Sequence, residues 1–244
     1  ASQKINDMAL SSDEHYLALA LNNATLQIWD FSAKQLVNNI SDPEIIMPFT
    51  HIAFLPNDNN ILTGSADGFV RIWNTLGSEY VWESASANQA GSPVKTIAIT
   101  QSGSKFVVGF ENGLVEVWDL ATKKRDISKD LASASVKRLV ISPDDRVLAF
   151  QGDNSFVEIL SLENASQNAR INGTLPRGYP ISPNNQMIGV VAADLNLYTL
   201  STTAPTQLFT LYDFPTDGSV NYSPDSNIIT AFAGGVFKYW STFS

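Results

Sequence analysis

The chain has no cysteine and only two histidines in 244 residues. The first absence removes disulfides, thiolate nucleophiles and thiolate metal sites together. The second leaves His15 and His51 as the only imidazoles, too few for most metal ligation or general-base chemistry. Charge is sparse at 16% and one-sided, with 15 basic against 24 acidic residues and a net charge of −9. Such a surface repels phosphate backbones, so nucleic acid is not an expected partner. Long apolar runs are missing as well. The longest, Met187 to Ala193, is far short of the roughly 18 residues a membrane-spanning helix needs. No charged-then-apolar leader follows Ala1, which reads as a cut end. These gaps lean against an enzyme. They leave the compartment open: the lack of cysteine permits an oxidising one, and the Asn-x-Ser/Thr triplets at Asn23, Asn39, Asn164, Asn172 and Asn221 are compatible with secretion. A composition of 44% hydrophobic residues, 10% of the chain being aromatic, is that of a chain that folds.

What is present is repetition. The segments 22–30, 65–74, 111–119, 153–161, 193–201 and 233–241 each read as a turn followed by alternating apolar residues that end in a bulky anchor. The anchors are Trp29, Trp73, Trp118, Leu160, Leu200 and Trp240, spaced 44, 45, 42, 40 and 40 residues apart. A second landmark lies about 17 residues before each anchor: Ser12, Pro56, Gln101, Pro143, Pro183 and Pro224, set among residues that accept turn geometry. An apolar run precedes the landmark, another separates it from the anchor, a third carries the anchor and a more polar fourth follows. No stretch has helical periodicity over ten residues. Four short strands per unit of about 42 residues imply an all-β β-propeller with one antiparallel blade per unit. Repeats are expected at about 5–40, 48–84, 93–130, 135–173, 177–212 and 218–244, forming one domain. Small or neutral residues, Ala9, Ala53, Ala98, Val140, Pro180 and Asn221, hold the equivalent place in the first strand of each blade, and Trp73 and Trp118 are expected to be buried between blades.

GSADGFVRIWN (64–74) resembles the end of a WD repeat, FENGLVEVWD (110–119) and LNNATLQIWD (21–30) resemble variants of it, and ISPDDRVLAF (141–150) resembles the family's strand, turn and strand. The resemblance covers essentially the whole chain and is stronger in the first four units. It implies a platform for protein partners, usually without catalysis and without a cofactor. It also implies a buried Asp, His, Ser/Thr, Trp network, of which Asp67, Thr63 and Trp73 match three members in the second unit. The family's Gly-His pair is absent from every unit, so the blades with Leu160 and Leu200 should lean on apolar packing. Family members commonly have seven blades, whereas six units are visible here and only four residues follow Trp240. The sixth blade is therefore expected to lack its outer strand, leaving the strand at 236–240 open to a strand from another chain or from an absent part of the same one.

Candidate sites follow from position and charge. The family's docking face carries over, by position, to the turn residues Asn23, Asp67, Asn112, Asp153 and Asp194. A competing side surface comes from the basic window Lys123, Lys124, Arg125, Lys129, Lys137 and Arg138, either edge protection or a dock for an acidic partner. Trp82 is the one tryptophan that is not an anchor, either an exposed hot spot or a contact between blades. The alternative is a propeller hydrolase or lectin-like binder using a central channel. Neither His15 nor His51 accompanies a nucleophile elbow, Ser65-Ala66-Asp67-Gly68 fails the spacing of the sialidase signature, and Asp144-Asp145 offers too few oxygens for calcium.

Overall fold

A computed structural model describes residues 3–56, 58–84, 91–131, 134–214, 218–233 and 235–242. It is all-β. The chain forms two compact units, Ala1–Val136 and Lys137–Ser244. The first holds three four-stranded antiparallel sheets, each meandering in chain order. Blade one is β1 (Ile5–Leu10), β2 (Tyr16–Leu21), β3 (Thr25–Asp30) and β4 (Gln35–Ser41); blade two is β5 (Phe49–Phe54), β6 (Asn60–Ser65), β7 (Val70–Asn74) and β8 (Tyr80–Glu83); blade three is β9 (Val94–Ile99), β10 (Lys105–Phe110), β11 (Leu114–Asp119) and β12 (Arg125–Asp130). In the second unit, blade four repeats the pattern with β13 (Arg138–Ile141), β14 (Val147–Gln151), β15 (Phe156–Ser161) and β16 (Asn168–Asn172).

The landmark turns repeat one device. The hydroxyls of Ser11, Ser142, Ser182 and Ser223 accept a hydrogen bond from the backbone N–H five residues on, at 2.8–2.9 Å. Each also donates to the side chain two residues on, Asp13, Asp144, Asn184 and Asp225 at 2.5–2.7 Å. The residue after that acceptor, Glu14, Asp145, Asn185 or Ser226, has a φ near +60°. These side chains close the turn where the backbone lacks its usual partners.

The last two sheets differ from the expected pattern. Blade five has three strands, β18 (Met187–Val191), β19 (Leu195–Thr199) and β20 (Gln207–Leu211). Its inner strand is reduced to a bridge between Ile181 and Ile188, because Pro180 and Pro183 supply no N–H to a ladder. The segment expected to open the fifth repeat goes elsewhere. β17 (Arg177–Gly178) pairs in parallel with β21 (Ser219–Tyr222), joining β22 (Ile228–Ala233) and β23 (Val236–Ser241) in the last sheet. That sheet therefore has four strands and mixed direction, its added strand lying on the inner edge. At its outer edge β23 has β22 as its sole strand partner among the described residues, so the outer strand is lacking.

Within each unit the core lies between facing blades. Ala18, Ala20, Leu26 and Ile28 of blade one meet Phe49, Ile52, Ile61 and Trp73 of blade two, and Leu62, Val70 and Ile72 of blade two meet Phe106, Val108 and Trp118 of blade three. Approach is closest where the second strand carries glycine. A Cβ built on Gly64 would stand 2.4 Å from Val94 Cγ1, and one on Gly109 would stand 2.5 Å from Val136 Cγ1. Neither distance is tolerated by a side chain in a packed interior.

Candidate functional site

The anchors divide by cover. Trp73 is fully buried, Trp118 and Leu160 are buried, and Trp29 and Trp240 are half-buried. Each sits opposite the second residue of the preceding strand, in the pairs Leu17 with Trp29, Ile61 with Trp73, Phe106 with Trp118, Leu148 with Leu160 and Ile229 with Trp240. In blade five the equivalent partner of Ile188 is Tyr198. The anchor position there belongs to Tyr198, and Leu200 lies just past the strand, packed on the same core. The hairpin turn of that blade is two residues shorter than in the first four, which moves the register by the same amount.

The expected polar network is present in altered form in blade two. Trp73 Nε1 donates to Thr63 Oγ1 at 2.9 Å. Asp67 does not continue the chain to a histidine. Its carboxylate accepts from Arg71 Nη1 at 2.9 Å and from the Phe69 N–H at 2.9 Å, and Arg71 Nε donates to Glu83 at 2.6 Å. Arg71 is one of a series that the sequence displayed but the repeat reading passed over: a polar residue two places before the anchor. Gln27 accepts from Trp29 Nε1 at 3.3 Å. Glu116, 2% exposed, accepts from Trp118 Nε1 at 3.0 Å and from Arg125 at 2.6 Å. Glu158, 3% exposed, binds Arg170, whose guanidinium lies 3.7 Å from the Phe156 ring centre. Asn196 accepts from Thr210 at 2.7 Å. In each of the last three the partner lies on the outermost strand of the blade, so these pairs fasten outer strands to their blades.

The turn residues Asn23, Asn112 and Asp153 are exposed, while Asp67 and Asp194 are half-buried. Each occupies its own second-to-third-strand turn. Asp153 forms an ion pair with Lys137 at 3.0 Å.

The basic window disperses. Arg125 answers buried Glu116, Lys105 pairs with Asp126, and Lys123 Nζ stands 5.9 Å from the Trp82 ring centre. Burial lowers the Lys123 pKa against the attraction of Asp58 and Asp119. Lys124 is exposed. Trp82 is a contact between blades, its ring edge-on to Trp118 at 5.7 Å and to Phe106 at 6.0 Å. The indole is half-buried there.

The two histidines do different things. His15 Nε2 lies 3.7 Å from Asp30 and its ring packs edge-on against Tyr16. His51 is half-buried on β5 with Nδ1 unpartnered. Burial pushes its pKa below the ordinary 6.5, Lys95 adds to that push, and Asp7 opposes it. The folded chain thus resists a proton that the unfolded chain accepts near pH 6.5. Stability is expected to be at its fullest above that pH and to fall as the pH drops below it. Urea melts at pH 7.5 and 5.5 should show the loss, and His51→Gln should shrink it; an unchanged difference would refute the assignment. Among the described residues no group of three His, Asp or Glu could hold a metal ion.

Residues 45–74 match the WD domain, G-beta repeat family. The WD repeat-containing protein 37 of Xenopus laevis is 24% identical over 138 residues, covering 57% of this chain and 27% of that protein. The Target of rapamycin complex subunit wat1 of Schizosaccharomyces pombe is 24% identical over 171 residues, covering 68% of this chain and 53% of its own length. The chain thus spans between about a quarter and about half of these relatives. Among solved structures, a chain of the crystal structure of the mitotic checkpoint complex superposes with a TM-score of 0.72 at 18% identity, covering 99% of this chain and 76% of that one. The β-propeller domain of Myceliophteria thermophila Cps50 (Swd1) gives 0.63 at 13% identity, covering 98% of this chain and 84% of that one. Repeat period, blade topology and these likenesses agree on a β-propeller fold of WD-repeat type, with a WD repeat matched at residues 45–74.

Proposed function

We propose that this chain is a non-catalytic scaffold for protein–protein interaction, with its blades forming one propeller domain and its second-to-third-strand turns serving as the docking face. The observation that carries the reading is where the polar chemistry goes. Arg71, Glu116 and Glu158 are spent inside their own blades, whereas Asn23, Asn112 and Asp153 are exposed in their turns, Asp153 with Lys137 as ion-pair partner. One relative is named as a subunit of a complex, which supports an assembly role.

The test is affinity capture with the full chain as bait. A loop variant carrying Asn23→Ala, Asn112→Ala and Asp153→Ala should lower recovery of the partner at least fivefold, and Lys124→Glu should leave it unchanged. Undiminished recovery with the loop variant would refute the docking face. A second reading rests on β23: its open edge, with Phe237 and Tyr239 exposed, is a template for strand addition by a partner.

A further inference from the structure

Two arginines in the second unit come to one place, and neither has an ion pair among the described residues. Arg138 opens β13, and its Nη2 donates to the Gly178 carbonyl at 2.7 Å. The side chain of Arg177, the residue before that carbonyl, has no hydrogen bond or ion pair among the described residues, and it is exposed. Arg138 is half-buried. Burial, and then the like charge of Arg177, press the Arg138 guanidinium below its ordinary value. In a chain of net charge −9, with Asp153 already taken by Lys137 at 3.0 Å, two like charges held together are an unbalanced local feature.

The placement is built by the backbone on both sides. Thr174 bridges to Val191, and the Leu175 N–H donates to Gln151 Oε1 at 2.6 Å, Gln151 being the strand partner of Arg138. Beyond, Arg177 and Gly178 pair with Ser219 and Val220, and the Tyr179 N–H donates to Val220 O at 2.7 Å. Gly178 has a φ of +81°, and a Cβ there would lie 2.2 Å from Val220 O, so only glycine permits this course. The segment carrying Arg177 is thus tied at one end to the strand paired with the one that carries Arg138, and at the other to the last sheet. The 74%-exposed ring of Tyr179 flanks it.

We propose that Arg138 and Arg177 form a binding site for an oxyanion on an acidic peptide segment of a partner, either a carboxylate or a phosphorylated side chain. A guanidinium presents planar paired donors that match either group, and a bound anion relieves the repulsion between the arginines. This deepens the scaffold reading by giving the chemistry of a partner, and it uses none of the turn residues tested above.

Calorimetric titration of the full chain at 0.15 M salt uses three peptides of equal length: one rich in glutamate, one carrying a single phosphoserine and one uncharged. The wild type should bind one or both acidic peptides and not the uncharged one. Arg177→Gln and Arg138→Gln should each weaken that binding about tenfold or more, as loss of a charge-assisted hydrogen bond implies, while Lys124→Gln changes it less than twofold. Binding of the phosphopeptide alone assigns the site to phosphate, of the glutamate peptide alone to carboxylate, and of both to either oxyanion. The proposal is overturned if no acidic peptide binds, if Arg177→Gln binds as the wild type does, or if Lys124→Gln costs as much. Peptide titration needs no capture of a partner, so failure here leaves the loop result standing, and the converse also holds.

Discussion

Replacing Trp73 by alanine is expected to lower the unfolding free energy by about 3–5 kcal/mol, the range for large-to-small changes in a packed core. The indole is wholly buried, edge-on to Phe49 at 5.7 Å and to Tyr80 at 5.5 Å, and its N–H satisfies Thr63. The same change at Trp29 should cost about 1–2 kcal/mol, because less apolar surface returns to water. Trp29 lines an open apolar depression of about 350 Å³ with Leu17, Leu19 and Phe31. Denaturant melts of the two variants give the comparison. Equal losses would show that cover by a neighbouring blade does not set the worth of the anchor.

A methyl group on Gly64 should be nearly as damaging. Its contact with Val94 Cγ1 at 2.4 Å cannot be relieved by a rotamer change alone, since Val94 Cβ stands at 2.9 Å and the β-branched side chain is stiff. Gly64→Ala is expected to cost about 2–3 kcal/mol by overpacking. Val94→Ala, which removes the opposing methyl groups, should recover part of that loss in the double variant, with a coupling of about 1 kcal/mol or more. Strict additivity of the two changes would contradict a direct contact between blades two and three at this point.

The contrast between these sites explains what the sequence could disclose. Periodicity exposed the blades, because each must carry a turn, an alternating strand and a bulky anchor in the same order. It placed Trp29, Trp73, Trp118, Leu160 and Trp240 at equivalent sheet positions. It missed Tyr198 because a shortened hairpin slides residues along a strand without disturbing the apolar alternation, so Leu200 aligned equally well by eye. The two-residue β17 has no periodic signature, and its parallel pairing to residues some forty positions later is invisible locally. For that reason the Arg138 and Arg177 pair could not be anticipated, although Arg138 stood in the basic window. The polar residues two before each anchor were fully legible. Their type and spacing alone gave no hint that Glu116 and Glu158 would be buried.

The parallel join of β17 to β21 also orders events in time. Each antiparallel blade pairs segments that are close in the chain, so its hairpins can close soon after they are synthesised. Arg177 and Gly178 have no strand to join until Ser219 and Val220 have emerged, 42 residues afterwards. Until then the segment has only its bonds to blade four, from Arg138 to the Gly178 carbonyl and from the Leu175 N–H to Gln151. The second tie of the Arg177 segment is consequently a late product of biosynthesis: a ribosome-stalled fragment ending before residue 219 would carry Arg177 and Gly178 without their strand partners.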